Sequence, residues 1–183
     1  MHRTRRALLA GLLVVVAVSL GFALSGVPNI ELLSFAVFLS GFLLGAGYGA
    51  LVGAVSAALF SVLNPLGTGL PPLVAAQALG QIVVGVAGAA TGPAIARTPN
   101  RAMASVFAGG VGFAVTVLYD ALTTAGAYVT FVGEKSIGGL VKFGAGGLVF
   151  VGVHIVWNTA LFFVALVPTL RVLSRYREEL TAG

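Results

Sequence analysis

The feature that most constrains this chain is a series of apolar segments, at about 7–26, 33–46, 48–63, 72–95, 102–128 and 144–170, each bounded by Gly, Pro, Asn or charge. In a chain that is 58% hydrophobic and 8% charged, such runs read as membrane spans rather than as elements of a soluble core. The expected fold is all-α: a polytopic membrane protein of six transmembrane helices in one compact bundle, with residues 1–183 forming a single domain. That length leaves no room for a separate catalytic or nucleotide-binding module.

The stretch 33–63 is interrupted only by Gly45-Ala46-Gly47-Tyr48-Gly49 and reads either as one long tilted helix or as two short ones. The positive-inside tendency favours two. With six spans, Arg3, Arg5, Arg6, Arg97, Arg101, Arg171, Arg175 and Arg177 all fall on the cytoplasmic side, leaving Lys135 and Lys142 outside. Five spans would move five of those arginines out. Helices of 14–16 residues cover only about 21–24 Å, so neighbours must shield them. The expected location is the inner or plasma membrane, with both termini cytoplasmic.

The net charge of +5 sits in short clusters at the ends of apolar runs. There it sets orientation rather than gripping nucleic-acid phosphates, so the bilayer is the expected surroundings and no nucleic acid a partner. Residues 2–25 also match a signal-peptide pattern, with basic residues, an apolar core and Ala23-Leu24-Ser25 before Gly26. The apolar run is long for that, and the segment is read as the first span.

Polar residues inside the spans concentrate at one depth. Gln77 and Gln81 share a face in the outer half of the fourth span; Tyr119, Asp120, Thr123 and Thr124 lie in the outer half of the fifth. His154, Trp157 and Asn158 sit about 15–21 Å along the sixth. Asn64 belongs to the loop Asn64–Pro72 at the same side. Buried in lipid each would be costly, so they are expected to face one another or a wet cavity. The reading is a substrate pocket near the outer surface, built from Asn64, Gln77, Gln81, Tyr119, Asp120, Thr124, His154, Trp157 and Asn158 and roofed by the proline-rich loop. The competing roles are interhelical hydrogen-bond glue for the glutamines, a structural pairing for Asp120, packing for Trp157 and interfacial anchoring for Tyr48 and Tyr128. Glu31 and Asn29 read as caps of the second helix.

A second pattern is small residues every fourth position: Gly41, Gly45, Gly49, Gly53, Ala57 and Ser61, and in the first span Ala7/Gly11 and Ala17/Gly21/Ser25. Such faces let helix backbones approach closely, either inside the bundle or against a partner. With the polar cluster in spans four to six, the pattern divides the chain into a ligand half and a docking half, the docking face drawn through Ala7, Gly11, Ala17, Gly21, Gly49 and Gly53.

Val27-Pro28-Asn29-Ile30-Glu31, the run Phe38 to Gly45, the run Gly49 to Ser56 and Asn64-Pro65-Leu66-Gly67 resemble the substrate-binding S components of energy-coupling-factor (ECF) vitamin transporters, most clearly over residues 27–92. The resemblance implies six helices that bind a vitamin-like small molecule at the outer face through extracellular loops and helices 4–6, while helices 1–3 dock on a coupling protein. It also implies partners that supply energy: a coupling membrane protein and two ABC ATPase subunits. The family's first helix carries two alanines four apart, whose nearest equivalents here are Ala7/Gly11 and Ala17/Gly21.

No phosphate-cradling Gly-x-x-x-x-Gly-Lys-Ser/Thr occurs; Gly133-Glu134-Lys135-Ser136 lacks its glycine arrangement. There is no Cys, no His-Glu-x-x-His and no Gly-x-Ser-x-Gly, and His2 and His154 are the only histidines. An enzyme is therefore not expected, nor catalytic residues, a metal site or a cofactor. The rival reading is a non-transporting membrane scaffold of the cell-shape type, similar in fold. With every arginine expected inside, a neutral or cationic heterocycle suits Asp120, the amides and the aromatics better than a phosphorylated anion.

Overall fold

The computed structural model describes residues 3–24, 26–64 and 69–181, with side chains described as far as residue 177. The described residues are helical, with no strand among them. In chain order they form α1 (Arg3–Ala23), α2 (Leu33–Leu44), α3 (Ala46–Val62), α4 (Pro71–Arg97), α5 (Arg101–Phe131), α6 (Ile137–Gly146), α7 (Leu148–Leu161), a π-helical turn (Phe162–Leu166) and α8 (Val167–Thr181). Among the described residues, four helices are long and apolar enough to cross a membrane: α1, α4, α5 and the continuous stretch Leu148–Arg177. The other two apolar helices, α2 and α3, have 12 and 17 residues and are shorter than a usual span.

The joint between α2 and α3 falls at Gly45, whose φ of 90° lies in the left-handed region that glycine enters without penalty. The chain reverses there. A Cβ built on Gly49 would stand 2.6 Å from the Cα of Gly41, a proximity impossible for residues eight apart in one straight helix, which rise about 12 Å. Both glycines also meet α4: a Cβ on Gly41 would strike the carbonyl of Gly85, and one on Gly85 the carbonyl of Gly49. Further along the same seam, a Cβ on Gly53 would meet the Gln81 carbonyl and one on Gly88 the Phe38 carbonyl. Three backbones thus touch with no side chain between them, the close approach that small residues permit.

This seam corrects the expected docking face. Gly49 and Gly53 are buried against α4 of the same chain, and Ala17 and Gly21 of α1 point inward, Gly21 against Phe60 and Leu33. Only Ala7 and Gly11 of that set are exposed, on a face of α1 with Leu8, Leu12 and Val15.

The connection expected over 129–143 is also different. It holds the last turn of α5, a short loop and most of α6, a glycine-rich helix that buries none of its residues. Ser136 starts α6 by accepting the Gly139 N–H at 3.0 Å, and the buried Tyr128 hydroxyl holds the loop by accepting the Ser136 N–H at 2.8 Å. The π-helical turn precedes Pro168, which has no N–H and whose ring would clash with the carbonyl four residues back in a regular helix. The widened turn presents Phe162, fully buried, to the edges of Phe35 and Phe38 at 5.6 and 5.2 Å, and to the surface left open by Gly112. This packing closes the core between α2, α5 and α8.

Candidate functional site

Where the N-terminal part of α4 meets the α1–α2 loop, the end of α3, α5 and α7, the chain encloses a cavity of about 350 Å³. That volume suits a small ligand. Asn64, Gln77, Gln81, Tyr119, Asp120 and His154 all line it, so the structure brings together six of the nine residues expected to form a pocket. Glu31 and Thr123 line it as well, together with the loop Val27–Ile30. The expected roof lies partly outside the described residues, at 65–68, as does Ser25 of the small-residue stripe.

At its centre is a histidine between two carboxylates. His154 Nδ1 lies 2.7 Å from Asp120 Oδ1, and its Nε2 lies 3.7 Å from Glu31 Oε1. The three come from α7, α5 and the α1–α2 loop, so no local sequence motif joins them. Asn29, with φ of 59°, turns the loop back just before Glu31; asparagine tolerates this left-handed conformation better than most residues. Glu31 does cap α2, accepting the Ser34 N–H at 2.9 and 3.2 Å. Burial alone would raise the pKa of Glu31; the hydrogen bonds from His154 and Ser34 and the attraction of His154 outweigh it and hold the carboxyl below its ordinary value.

The glutamines knit helices together while lining the cavity. Ser61 donates to Gln77 Oε1, tying α3 to α4, and Gln81 Nε2 donates to Ser34 Oγ at 2.8 Å, tying α4 to α2. Tyr119 lies edge-on to His154 at 5.7 Å and over α4, where Gly80 leaves room for its ring. Thr123 bonds back to the Tyr119 carbonyl of its own helix.

Three expected residues stand outside the cavity lining. Trp157 donates its indole N–H to the Glu31 carbonyl at 2.9 Å, so it holds the loop that lines the cavity. Asn158 is fully buried, and both atoms of its amide lack a partner among the described residues. Thr124 faces α6 near Gly144. The residue that sequence reasoning missed is Glu31, read there as a cap alone. Its signal was scarcity: it is one of only five acidic residues, and it stands at the mouth of an apolar run.

The lining contains two carboxylates, four amides, a phenol and an imidazole, and no Lys or Arg among the described residues. Asp120 Oδ2 is buried and has no hydrogen-bond partner among the described residues. A buried carboxylate oxygen without a donor is costly, so the cavity is electrostatically prepared for a ligand that brings an N–H or a positive charge. Among the described residues no group of three or more His, Cys, Asp or Glu side chains is arranged to hold a metal ion. Set beside protein-family models, curated proteins and solved structures, the chain matches none of them.

Proposed function

We propose that the chain is the substrate-binding membrane subunit of an ECF-type importer. It captures a vitamin-like small molecule on the extracytoplasmic side and passes it on with a coupling membrane protein and two ABC ATPase subunits. The observation that carries this reading is the acceptor-rich cavity with its unpartnered Asp120 Oδ2, at the end of α4 far from the arginines. The positive-inside tendency puts those arginines in the cytoplasm and the cavity outside. In this reading all six apolar helices cross the bilayer, α2 and α3 being short spans shielded by α4.

The ligand class is a neutral or cationic nitrogen heterocycle. Two carboxylates face one imidazole with no guanidinium or ammonium among the described lining residues, a field that repels phosphorylated or carboxylated molecules. Docking on the coupling protein uses the exposed α1 face of Ala7, Leu8, Gly11, Leu12 and Val15, where no Cβ at Gly11 would meet another atom of the chain. The alternative, a non-transporting scaffold, draws support from one observation: Gln77 and Gln81 bond Ser61 and Ser34 between helices, the behaviour of structural glue.

The test is to purify the full chain in mild detergent and identify small molecules released on denaturation by mass spectrometry. A nitrogen heterocycle that rebinds in calorimetric titration supports the importer; an empty protein that binds no vitamin in a panel supports the scaffold. Orientation is checked separately. Cysteine in place of the exposed Ser136 should react with an impermeant reagent on intact cells, and cysteine in place of Pro99 should not.

A further inference from the structure

Six buried side-chain polar atoms lack a hydrogen-bond partner among the described residues, and two of them belong to residues that line the Asp120 cavity: Asp120 Oδ2 and Gln81 Oε1. Both are oxygens that only accept. Each stands on a side chain whose other polar atom is already fixed by the protein. Asp120 Oδ1 is taken by His154 Nδ1 at 2.7 Å, and Gln81 Nε2 donates to Ser34 Oγ at 2.8 Å. Gln81 also meets the Tyr119 hydroxyl, through its amide nitrogen since Oε1 has no partner. The amide's donors are thus used and its acceptor is left over. Gln81 is 3% exposed and Asp120 8%, so neither offers its free oxygen to bulk water. Nearby hydroxyls are spent as well: Thr123 bonds back to the carbonyls of Tyr119 and Asp120, and Ser61 donates to Gln77.

The two residues stand on neighbouring helices at one height. Gly80, next to Gln81 on α4, lies so close to the ring of Tyr119, next to Asp120 on α5, that a Cβ at Gly80 would strike it. Two turns further along α5, a Cβ at Gly126 would meet the side chain of Ala76 on α4 at 2.6 Å. We infer that Asp120 and Gln81 together form the seat for two adjacent N–H donors of one ligand, the edge of an amidinium or of an aminated heterocycle protonated on its ring nitrogen.

Such an edge ordinarily lays both N–H groups on the two oxygens of a single carboxylate. Here His154 occupies Oδ1, so one N–H reaches Asp120 Oδ2 and the other needs a separate acceptor. Gln81 Oε1 supplies it. The second carboxylate does not compete, because both oxygens of Glu31 accept from the Ser34 N–H. Ile30, Leu33 and Phe60 give the same cavity an apolar wall for a ring. The inference rests on reading this cavity as a ligand site, and it narrows the nitrogen heterocycle proposed above to one that carries this edge.

The experiment uses the full chain in a neutral detergent and three probes of similar size: benzamidine, with a positive charge and two N–H donors; benzamide, with an N–H beside a carbonyl; and trimethylanilinium, with the charge and no N–H. Dissociation constants are taken from the rise of the melting temperature with probe concentration. Benzamidine should bind about tenfold more tightly than either of the others. Gln81→Met, which keeps the bulk and removes the acceptor, should shrink that preference to about threefold or less, and Asp120→Asn should do the same. Ser61→Ala breaks a comparable tie between α3 and α4 but leaves both free oxygens, and should keep the preference. Each preference is a ratio within one variant, so a general loss of stability cancels. Trimethylanilinium binding as tightly as benzamidine would overturn the inference, since charge alone would then suffice. So would tightest binding of benzamide, which would turn the Gln81 amide nitrogen toward the ligand, an undiminished preference in Gln81→Met, or no binding of any probe. The importer reading is tested apart, by the molecule released on denaturation. A released heterocycle without this edge overturns the seat and leaves the importer standing; a chain that releases nothing yet ranks benzamidine first keeps the seat and loses the importer.

Discussion

The cavity around Asp120 and a second cavity, lined by Phe42, Pro93, Ala96, Arg97, Arg171, Ser174 and Arg177, have nearly the same volume, about 350 and 370 Å³, and face opposite ends of α4. Gln77 in the first and Arg97 in the second are separated by some 30 Å of that helix. One holds two carboxylates and a histidine without Lys or Arg; the other holds three arginines and no described acid. Size therefore says little about what each accepts. The sign of the charge at each mouth does, because a mismatched ion would be stripped of water and given no partner. Between them lies the glycine seam of α2, α3 and α4, so the two ends are held by one set of backbone contacts while differing in chemistry.

The largest effect should come from breaking that shared seam. Gly88→Leu puts a side chain where the Phe38 carbonyl already is, and backbone cannot yield as a flexible side chain can. Overpacking usually costs about 1–3 kcal/mol, and a backbone clash should exceed it. Both cavities should be lost together, seen as aggregation in size-exclusion chromatography. A monodisperse variant with the wild-type melting temperature would mean the seam is looser than described.

Next in size is a change that should separate the two ends. Asp120→Ala removes the partner of His154 and the acceptor offered to the ligand. It should weaken binding of the identified heterocycle by about 1–3 kcal/mol, roughly 5- to 150-fold, with the melting temperature unchanged. A parallel fall in melting temperature would show that Asp120 supports the bundle rather than the site. Gln81→Ala should follow the same pattern. Asn64→Ala should cost less, since Asn64 lies at the cavity's edge in the chain leading out of α3.

A smaller effect should appear in acid. Because the folded protein holds the Glu31 pKa below its ordinary 4.5, the stability this carboxylate contributes is complete above that value. It is lost as the pH falls through the lowered folded-state pKa. Melting temperatures recorded from about pH 6 down to about pH 3 should therefore fall less steeply in Glu31→Gln than in the wild type. Identical slopes would remove Glu31 from the stabilising network. The smallest change expected is none: Ser19→Ala, exposed on α1, should alter neither heterocycle binding nor the melting temperature.

Much of the polar site was legible because helical phase is local. Gln77 and Gln81 four apart, Asp120 after Tyr119, and His154 at matching depth follow from 3.6 residues per turn and from the cost of stranding such groups in lipid. Glu31 was not legible as a third member, because its place depends on the left-handed turn at Asn29 and on meeting a helix more than a hundred residues away. Nor could spacing tell which way a small-residue stripe faces. Gly49 and Gly53 would look the same whether they met a partner or their own α4, and the answer lay in the backbone of Gly85 and Gln81 on a different helix. Trp157 and Asn158 share a turn with His154 but are taken up by the loop carbonyl and by the buried core. The helix α6 was hidden by its glycines, which lower the expectation of any helix at all.

Trp157 is the only tryptophan in the chain, and its indole N–H is bonded to the backbone of Glu31. The molecule therefore carries one tryptophan reporter, placed on α7 and bonded to the loop that borders the candidate binding cavity. Any event that shifts that loop should lengthen or break a single hydrogen bond and change the indole's exposure to water, moving its emission wavelength without a label or a mutation. Emission would then follow loop motion in the native protein on the timescale of stopped-flow mixing, and a tryptophan-free variant, Trp157→Phe, would supply the blank.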